Sequence, residues 1–106
     1  MKMGLLLSLL IICSTFAHGA GVANYKVVAV GCFPHGTCYI QIIPASTNTA
    51  CPLKNQIRFD ITLPGSNAQY SAALAAHTSG KTINVNLTDN CLDGYPIPDW
   101  LQINEG

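Results

Sequence analysis

Four cysteines spread over a short chain constrain the fold more than any other feature of this sequence. They are Cys32, Cys38, Cys51 and Cys91 in a chain of 106 residues, and the fifth cysteine lies in an N-terminal segment typical of a secretory signal peptide. An even number of cysteines in a small exported domain predicts disulfide bonds, and four allow three pairings. We favour Cys32–Cys38, because "GCFPHGTC" reads as the two arms of a tight hairpin. That choice leaves Cys51–Cys91.

The chain-entropy model gives the longer of these two bonds about 4 kcal/mol of stabilisation and the shorter about 2 kcal/mol. A domain of this size has little other margin, so both bonds matter to folding.

The first residues have the order of a signal peptide: Lys2, an apolar run from Leu5 to Ile12, and then small residues. The apolar run is too short to span a membrane. We expect cleavage near residues 17–20, which removes residues 1–19 and leaves 20–106 as one secreted or periplasmic domain. Lipidation of Cys13 is the disfavoured alternative, because the preceding Ile12 is bulky for that processing.

Charge excludes two classes of partner. After cleavage the chain keeps four basic and five acidic residues, a net charge of −1. A protein that binds nucleic acid needs a basic surface to neutralise phosphates, and no basic stripe is visible. There is also no cationic amphipathic helix for a membrane surface. We therefore expect neither nucleic-acid binding nor membrane insertion.

Hydrophobic periodicity predicts three strands, one helix and two strands. The strands are "ANYKVVAVGCF", "CYIQIIP", "QIRFDIT", Lys81–Thr88 and "WLQIN". The helix follows "LPGSN", with Ser66 or Asn67 as its N-cap, and ends near Ser79 before Gly80. This is the element order of the oligonucleotide/oligosaccharide-binding (OB) fold, a five-stranded Greek-key barrel. A small α+β open sheet with one helix on a face is the alternative.

One segment of about 40 residues resembles the B subunits of subtilase-type and pertussis-like bacterial toxins, and also related small exported bacterial proteins of unassigned role. The segment runs from about Cys51 to Leu87: a cysteine, a polar turn with a lysine, a strand, a helix with tyrosine and alanines, and an "SGK" turn into an alternating strand. The matching residues are Cys51, Lys54, Tyr70, Ala72, Ala73, Leu74, Ser79, Gly80 and Lys81. The resemblance implies an OB fold, a pentameric ring with central helices, a cell-surface glycan as ligand and a separate catalytic subunit as partner.

Four residues are candidates for ligand binding. Trp100 and Tyr95 carry aromatic rings that can stack on a sugar or fill an interface. His35 lies at a hairpin tip, and Asp93 lies in the turn-rich "DNCLDG". The competing interpretations are ordinary packing for Trp100 and Tyr95, an exposed turn residue for His35 and a capped turn for Asp93.

We predict no metal site, no cofactor and no catalytic group. Cys32, His35 and Cys38 have a spacing that zinc tolerates, but exported cysteines normally oxidise. "DNCLDG" lacks the ligand spacing of a calcium loop. No serine stands in a nucleophile elbow, and the carboxylates show no catalytic pairing. We expect a non-enzymatic binding module, with a structural or protein-interaction domain as the alternative.

The helix carries small residues on two faces. Tyr70, Ala73, Leu74 and His77 make one face, which we expect to pack on the sheet through Leu74. Ala68, Ala72 and Ala75 make the opposite face. High helix propensity explains those alanines, and the sharper hypothesis is that they form an interface between subunits of a ring.

Overall fold

The computed structural model describes residues 21–105, so the predicted signal peptide lies outside the described residues. The predicted order of elements is confirmed. They are β1 (Val22–Cys32), β2 (Thr37–Ile43), β3 (Gln56–Asp60), α1 (Pro64–Ser79), β4 (Ile83–Leu92) and β5 (Tyr95–Ile103). No helix within this range is long and apolar enough to cross a membrane.

The five strands form one antiparallel sheet in the order β3-β2-β1-β4-β5. Its two edge strands, β3 and β5, lie close to each other, but no ladder of hydrogen bonds joins them in the described chain. The sheet is therefore not closed into the predicted barrel. Two features oppose closure: β3 has only five residues, and Pro96 and Pro98 give β5 no N–H at those positions.

The core lies between the inner face of the sheet and α1. The strand alternation predicts that Ile57 and Phe59 of β3 and Ile83 and Val85 of β4 point inward, and all four are buried. Alternation along these strands sends every second side chain to this face, which is why the sequence pattern identified them.

Helix α1 packs differently from the prediction. Its buried side chains are Tyr70, Ala73 and Ala76, whereas Leu74 is only half-buried. The small alanine side chains let the helix backbone approach the sheet closely, and Tyr70 fills the remaining space against Phe59, with ring centroids 5.3 Å apart. The packing contact assigned to Leu74 is therefore made mainly by these three residues.

The two ends of α1 differ in how well the sequence predicted them. The predicted N-cap at Ser66 or Asn67 is wrong, because the helix begins at Pro64 after Leu63 and has no side-chain cap. Proline suits a first turn, since its missing N–H would have no partner within the helix there. The predicted end at Ser79 is confirmed, with Gly80 in the left-handed conformation at φ 74°.

The turn residues of "DNCLDGYPIPD" predict a loop at residues 89–99, between the last two predicted strands, but this segment is mostly strand. β4 continues to Leu92, and β5 starts at Tyr95 after a two-residue turn, Asp93–Gly94. Both turn residues have positive φ, 55° and 88°. Asp-Gly is a strong hairpin signal when strand residues flank it. The sequence therefore contained a signal for this hairpin that the loop prediction did not use.

Two disulfides join Cys32 to Cys38 and Cys51 to Cys91, the pairs that the hairpin argument favours. The first links opposed residues of β1 and β2. The second ties the loop before β3 to β4, where further hydrogen bonds hold it. Thr49 Oγ1 donates to the Thr88 carbonyl at 2.8 Å, and the Ala50 amide donates to Asp89 Oδ1 at 2.8 Å.

Candidate functional site

Arg58, in the middle of β3, is the centre of the most concentrated group of aromatic and charged side chains in the structure. Alternation along "QIRFDIT" directs Arg58 and Asp60 away from the core and predicts a solvated pair, but Arg58 is only 7% exposed. The outer face of β3 is covered by side chains from β2 and from two turns, which the alternation of β3 alone cannot reveal. The solvated arrangement is therefore wrong for Arg58.

Three aromatic rings surround the Arg58 guanidinium. Its central carbon lies 4.4 Å from the ring centroid of Tyr95, 5.3 Å from that of Phe33 and 5.5 Å from that of Tyr39. A cation this close to the face of a ring is attracted by the ring's quadrupole. The rings come from the β1–β2 turn, from β2 and from the start of β5, so Arg58 connects distant parts of the chain.

Two polar side chains complete the surroundings of the guanidinium. Arg58 Nη1 donates to Asp93 Oδ2 at 2.9 Å, and Nε donates to Gln56 Oε1 at 3.0 Å. Asp93 lies in the β4–β5 turn, so this ion pair crosses between the two unpaired edges of the sheet. We call Arg58, Phe33, Tyr39, Tyr95, Asp93 and Gln56 the Arg58 cluster.

Local backbone features bring these side chains together. Tyr39 is directly opposite both Arg58 on β3 and Gly31 on β1. A Cβ atom at position 31 would lie 2.5 Å from the Tyr39 hydroxyl oxygen, so glycine allows the Tyr39 ring to lie across β1. The turn that carries Phe33 is closed by the Cys32–Cys38 bond and by Gly36 at φ 99°.

The outer rim of the Arg58 cluster is aromatic and accessible. Phe33 is 41% exposed, and the ring of His35 stacks on it with centroids 5.6 Å apart and planes 11° apart. Phe33 also lies 5.7 Å from the Tyr39 ring. Phe33 therefore contacts Arg58 on its inner side, and together with His35 it is exposed to solvent at the outer rim of the cluster.

A buried tyrosine lies on the inner side of the same region. The Tyr70 hydroxyl donates to the Gly31 carbonyl at 3.3 Å. Burial, and secondarily the nearby Tyr39, raises the pKa of Tyr70 above its ordinary value of 10.0. Burial alone raises the pKa of Tyr25, another core tyrosine. Both hydroxyls are therefore neutral under ordinary conditions.

The structure brings three of the four predicted ligand-binding residues together. Tyr95 and Asp93 belong to the Arg58 cluster, and His35 lies at its rim. Trp100 lies elsewhere on β5, opposite Asn86, and is 39% exposed. Sequence reasoning missed Arg58, Phe33 and Tyr39, because no local sequence pattern shows that an arginine on a strand will contact side chains from two distant turns.

The Arg58 cluster presents aromatic rings, an ion pair and an amide group to a ligand. Between residues 21 and 105, no group of three or more His, Cys, Asp or Glu side chains is placed to hold a metal ion. Both cysteines beside the cluster are in a disulfide. Comparison with protein-family models, curated proteins and solved structures finds no match to this chain.

Proposed function

We propose that this protein is a non-enzymatic binding module that holds a neutral carbohydrate on the Arg58 cluster. The observation that carries the proposal is the accessible aromatic surface of Phe33 and His35 next to a balanced pair of charges. Aromatic rings offer large apolar contact area to the C–H faces of a sugar ring, at a small entropic cost. Polar groups beside them orient the ligand.

Charge balance selects a neutral ligand over an ionic one. The positive charge of Arg58 is already matched by Asp93 at 2.9 Å, so an anionic ligand would have to displace that carboxylate. The Asp93 side chain is 58% exposed and has a second oxygen that can accept a hydrogen bond from a hydroxyl group. Gln56 uses its carbonyl oxygen for Arg58, which leaves its amide group as a donor.

The position of the cluster agrees with a ligand face of an OB-like fold, which is part of the same proposal. OB folds bind oligosaccharides and oligonucleotides on strands 2–3 and on the loops between strands 1–2 and 4–5. Tyr39 and Arg58 belong to β2 and β3, Phe33 to the β1–β2 turn and Asp93 to the β4–β5 turn. The low basic charge of the chain favours the oligosaccharide.

Export and assembly extend this proposal. Two disulfides suit an oxidising compartment outside the cytosol. The toxin resemblance supports a cell-surface glycan as ligand, a separate catalytic subunit as partner and a pentameric ring. Ala68 and Ala75 are exposed and Ala72 is half-buried, so the first two are available to a neighbouring subunit. The mass of the protein in solution tests the ring directly.

The binding test compares two exposed apolar residues. Phe33→Ala removes a ring of the cluster, and Leu63→Ala removes an exposed side chain just before α1 that is not a member of the cluster. On an array of neutral glycans, we expect Phe33→Ala to weaken binding by about tenfold or more, as the loss of an aromatic contact predicts. Leu63→Ala should bind like the wild type. Equal binding by both variants would contradict a ligand site at the Arg58 cluster.

The second candidate function is a structural or protein-interaction domain. It is favoured by the contacts of Arg58 itself, which link the two open edges of the sheet. An empty glycan array, together with a protein that co-purifies with the wild type, would support this alternative.

A further inference from the structure

The outer face of strands β1, β4 and β5 carries a second group of side chains with binding chemistry. Alternation places a tryptophan and a row of amides on this face, away from the core. They are Asn24, Asn84, Asn86, Trp100, Gln102 and Asn104, which we call the Trp100 face. Trp100 is directly opposite Asn86, Gln102 is opposite Asn84, and Asn84 is opposite Asn24, so these side chains share one side of the sheet.

Hydrogen bonds between the amides fix their orientation. Asn24 Oδ1 accepts from Asn84 Nδ2 and from Asn104 Nδ2, each at 3.0 Å. Asn104 Nδ2 also donates to Thr82 Oγ1 at 2.9 Å. The Asn24 amide group is left as a donor, and the Asn84 and Asn104 oxygens are left as acceptors. The face therefore offers fixed donors and acceptors side by side.

The tryptophan is available for stacking. Trp100 is 39% exposed, and within residues 21–105 no other aromatic ring or cation stacks on it. The six side chains are uncharged, and two charged residues border them: Asp99, whose Oδ2 accepts from Asn86 Nδ2 at 3.5 Å, and Lys26, which is exposed two residues after Asn24 on β1. From Trp100 to Asn24 the face spans about 12 Å across three strands, enough for about two sugar rings by the spacing of a sheet.

We infer that the Trp100 face is a second carbohydrate-binding surface, separate from the Arg58 cluster. Each sugar hydroxyl both donates and accepts hydrogen bonds, which matches a row of oriented amides, and a sugar ring stacks on the indole. The amides and the indole carry no charge, and the bordering Asp99 and Lys26 have opposite signs, so the face has no net charge that would select an ionic ligand. The inference rests on the proposed function for the class of ligand, but it uses different residues.

The chain has a single tryptophan, so its fluorescence reports on this face alone. We would titrate the wild type with short neutral oligosaccharides of glucose, mannose, galactose and N-acetylglucosamine. The expected result is a saturable change in Trp100 emission with at least one of them. Phe33→Ala should keep that change, while Gln102→Ala and Asn24→Ala should weaken it by about three- to tenfold each, the range for one hydrogen bond.

Calorimetry on the same samples separates this inference from the proposed function. Loss of heat in Trp100→Ala, with circular dichroism unchanged, supports the second surface even if Phe33→Ala binds normally. Sugar binding that is abolished by Phe33→Ala and leaves Trp100 emission unchanged would overturn the second surface and keep the first. Absence of both heat and emission change across the panel would overturn both. A concentration-dependent emission change without sugar would assign the face to contact between copies of the chain, which also overturns the inference.

Discussion

The Arg58 cluster and the Trp100 face use similar side chains in opposite ways. Both combine aromatic rings with polar groups on the outside of the same sheet. In the cluster, the charged group is buried and its hydrogen bonds and ring contacts are made within the chain, whereas the Trp100 face keeps its indole and several amide atoms open to solvent. The comparison teaches that similar side chains can link two strand edges that no hydrogen-bond ladder joins, as in the cluster, or stay open to solvent above strands that are paired, as on the Trp100 face.

The largest expected effect is on the free energy of unfolding, which should respond differently to alanine substitution in the two regions. Arg58→Ala should lower the free energy of unfolding by about 2–3 kcal/mol, because it removes three ring contacts and the buried aliphatic stem. Trp100→Ala should cost about 0.5 kcal/mol or less, as is usual for an exposed site. Urea unfolding followed by circular dichroism measures both. Equal losses in the two variants would break the distinction between a cohesive and an open region.

An intermediate effect concerns the tyrosine beneath the cluster. Tyr70→Phe removes the hydrogen bond to the Gly31 carbonyl and should cost about 1 kcal/mol at neutral pH. Because the pKa of Tyr70 is raised by folding, its contribution to stability is complete below pH 10.0 and is lost as pH rises through the raised pKa.

The pH dependence of unfolding tests that sign. Above pH 10.0 the wild type should lose stability faster than Tyr70→Phe, because phenylalanine has no proton to release. Tyr25→Phe is the matched control for the second buried hydroxyl. If the wild type and Tyr70→Phe fall in parallel at alkaline pH, the Tyr70 hydroxyl is not linked to stability.

The smallest effect isolates the ion pair. Asp93→Asn keeps a residue that tolerates positive φ in a turn, so it removes the charge with little change of shape. We expect a loss of about 0.5 kcal/mol, because Asp93 is largely exposed, and the loss should shrink in high salt. A loss as large as that of Arg58→Ala would mean that the ion pair, rather than the aromatic rings, holds the cluster together.

Periodicity in the chain was sufficient for the elements and for most of the core. The alternation in "QIRFDIT" and in Lys81–Thr88 identified the buried faces of β3 and β4, and Gly80 identified the end of α1. These signals are local, since a strand or helix repeats its exposure every two or every 3.6 residues. The Asp93–Gly94 hairpin was equally local, and its loop assignment was an error of interpretation.

The sequence by itself determined the order of elements, the pairs of cysteines that the hairpin favours and the neutral, weakly charged character of the surface. Only the tertiary structure decided that Arg58 is buried, that Tyr95, His35 and Asp93 meet around it, and that Trp100 stands apart with a row of amides. The physical reason is distance along the chain. Contacts between β3 and the two turns depend on how the strands pair and curl, and no periodicity within one strand encodes which side chains from elsewhere will cover it.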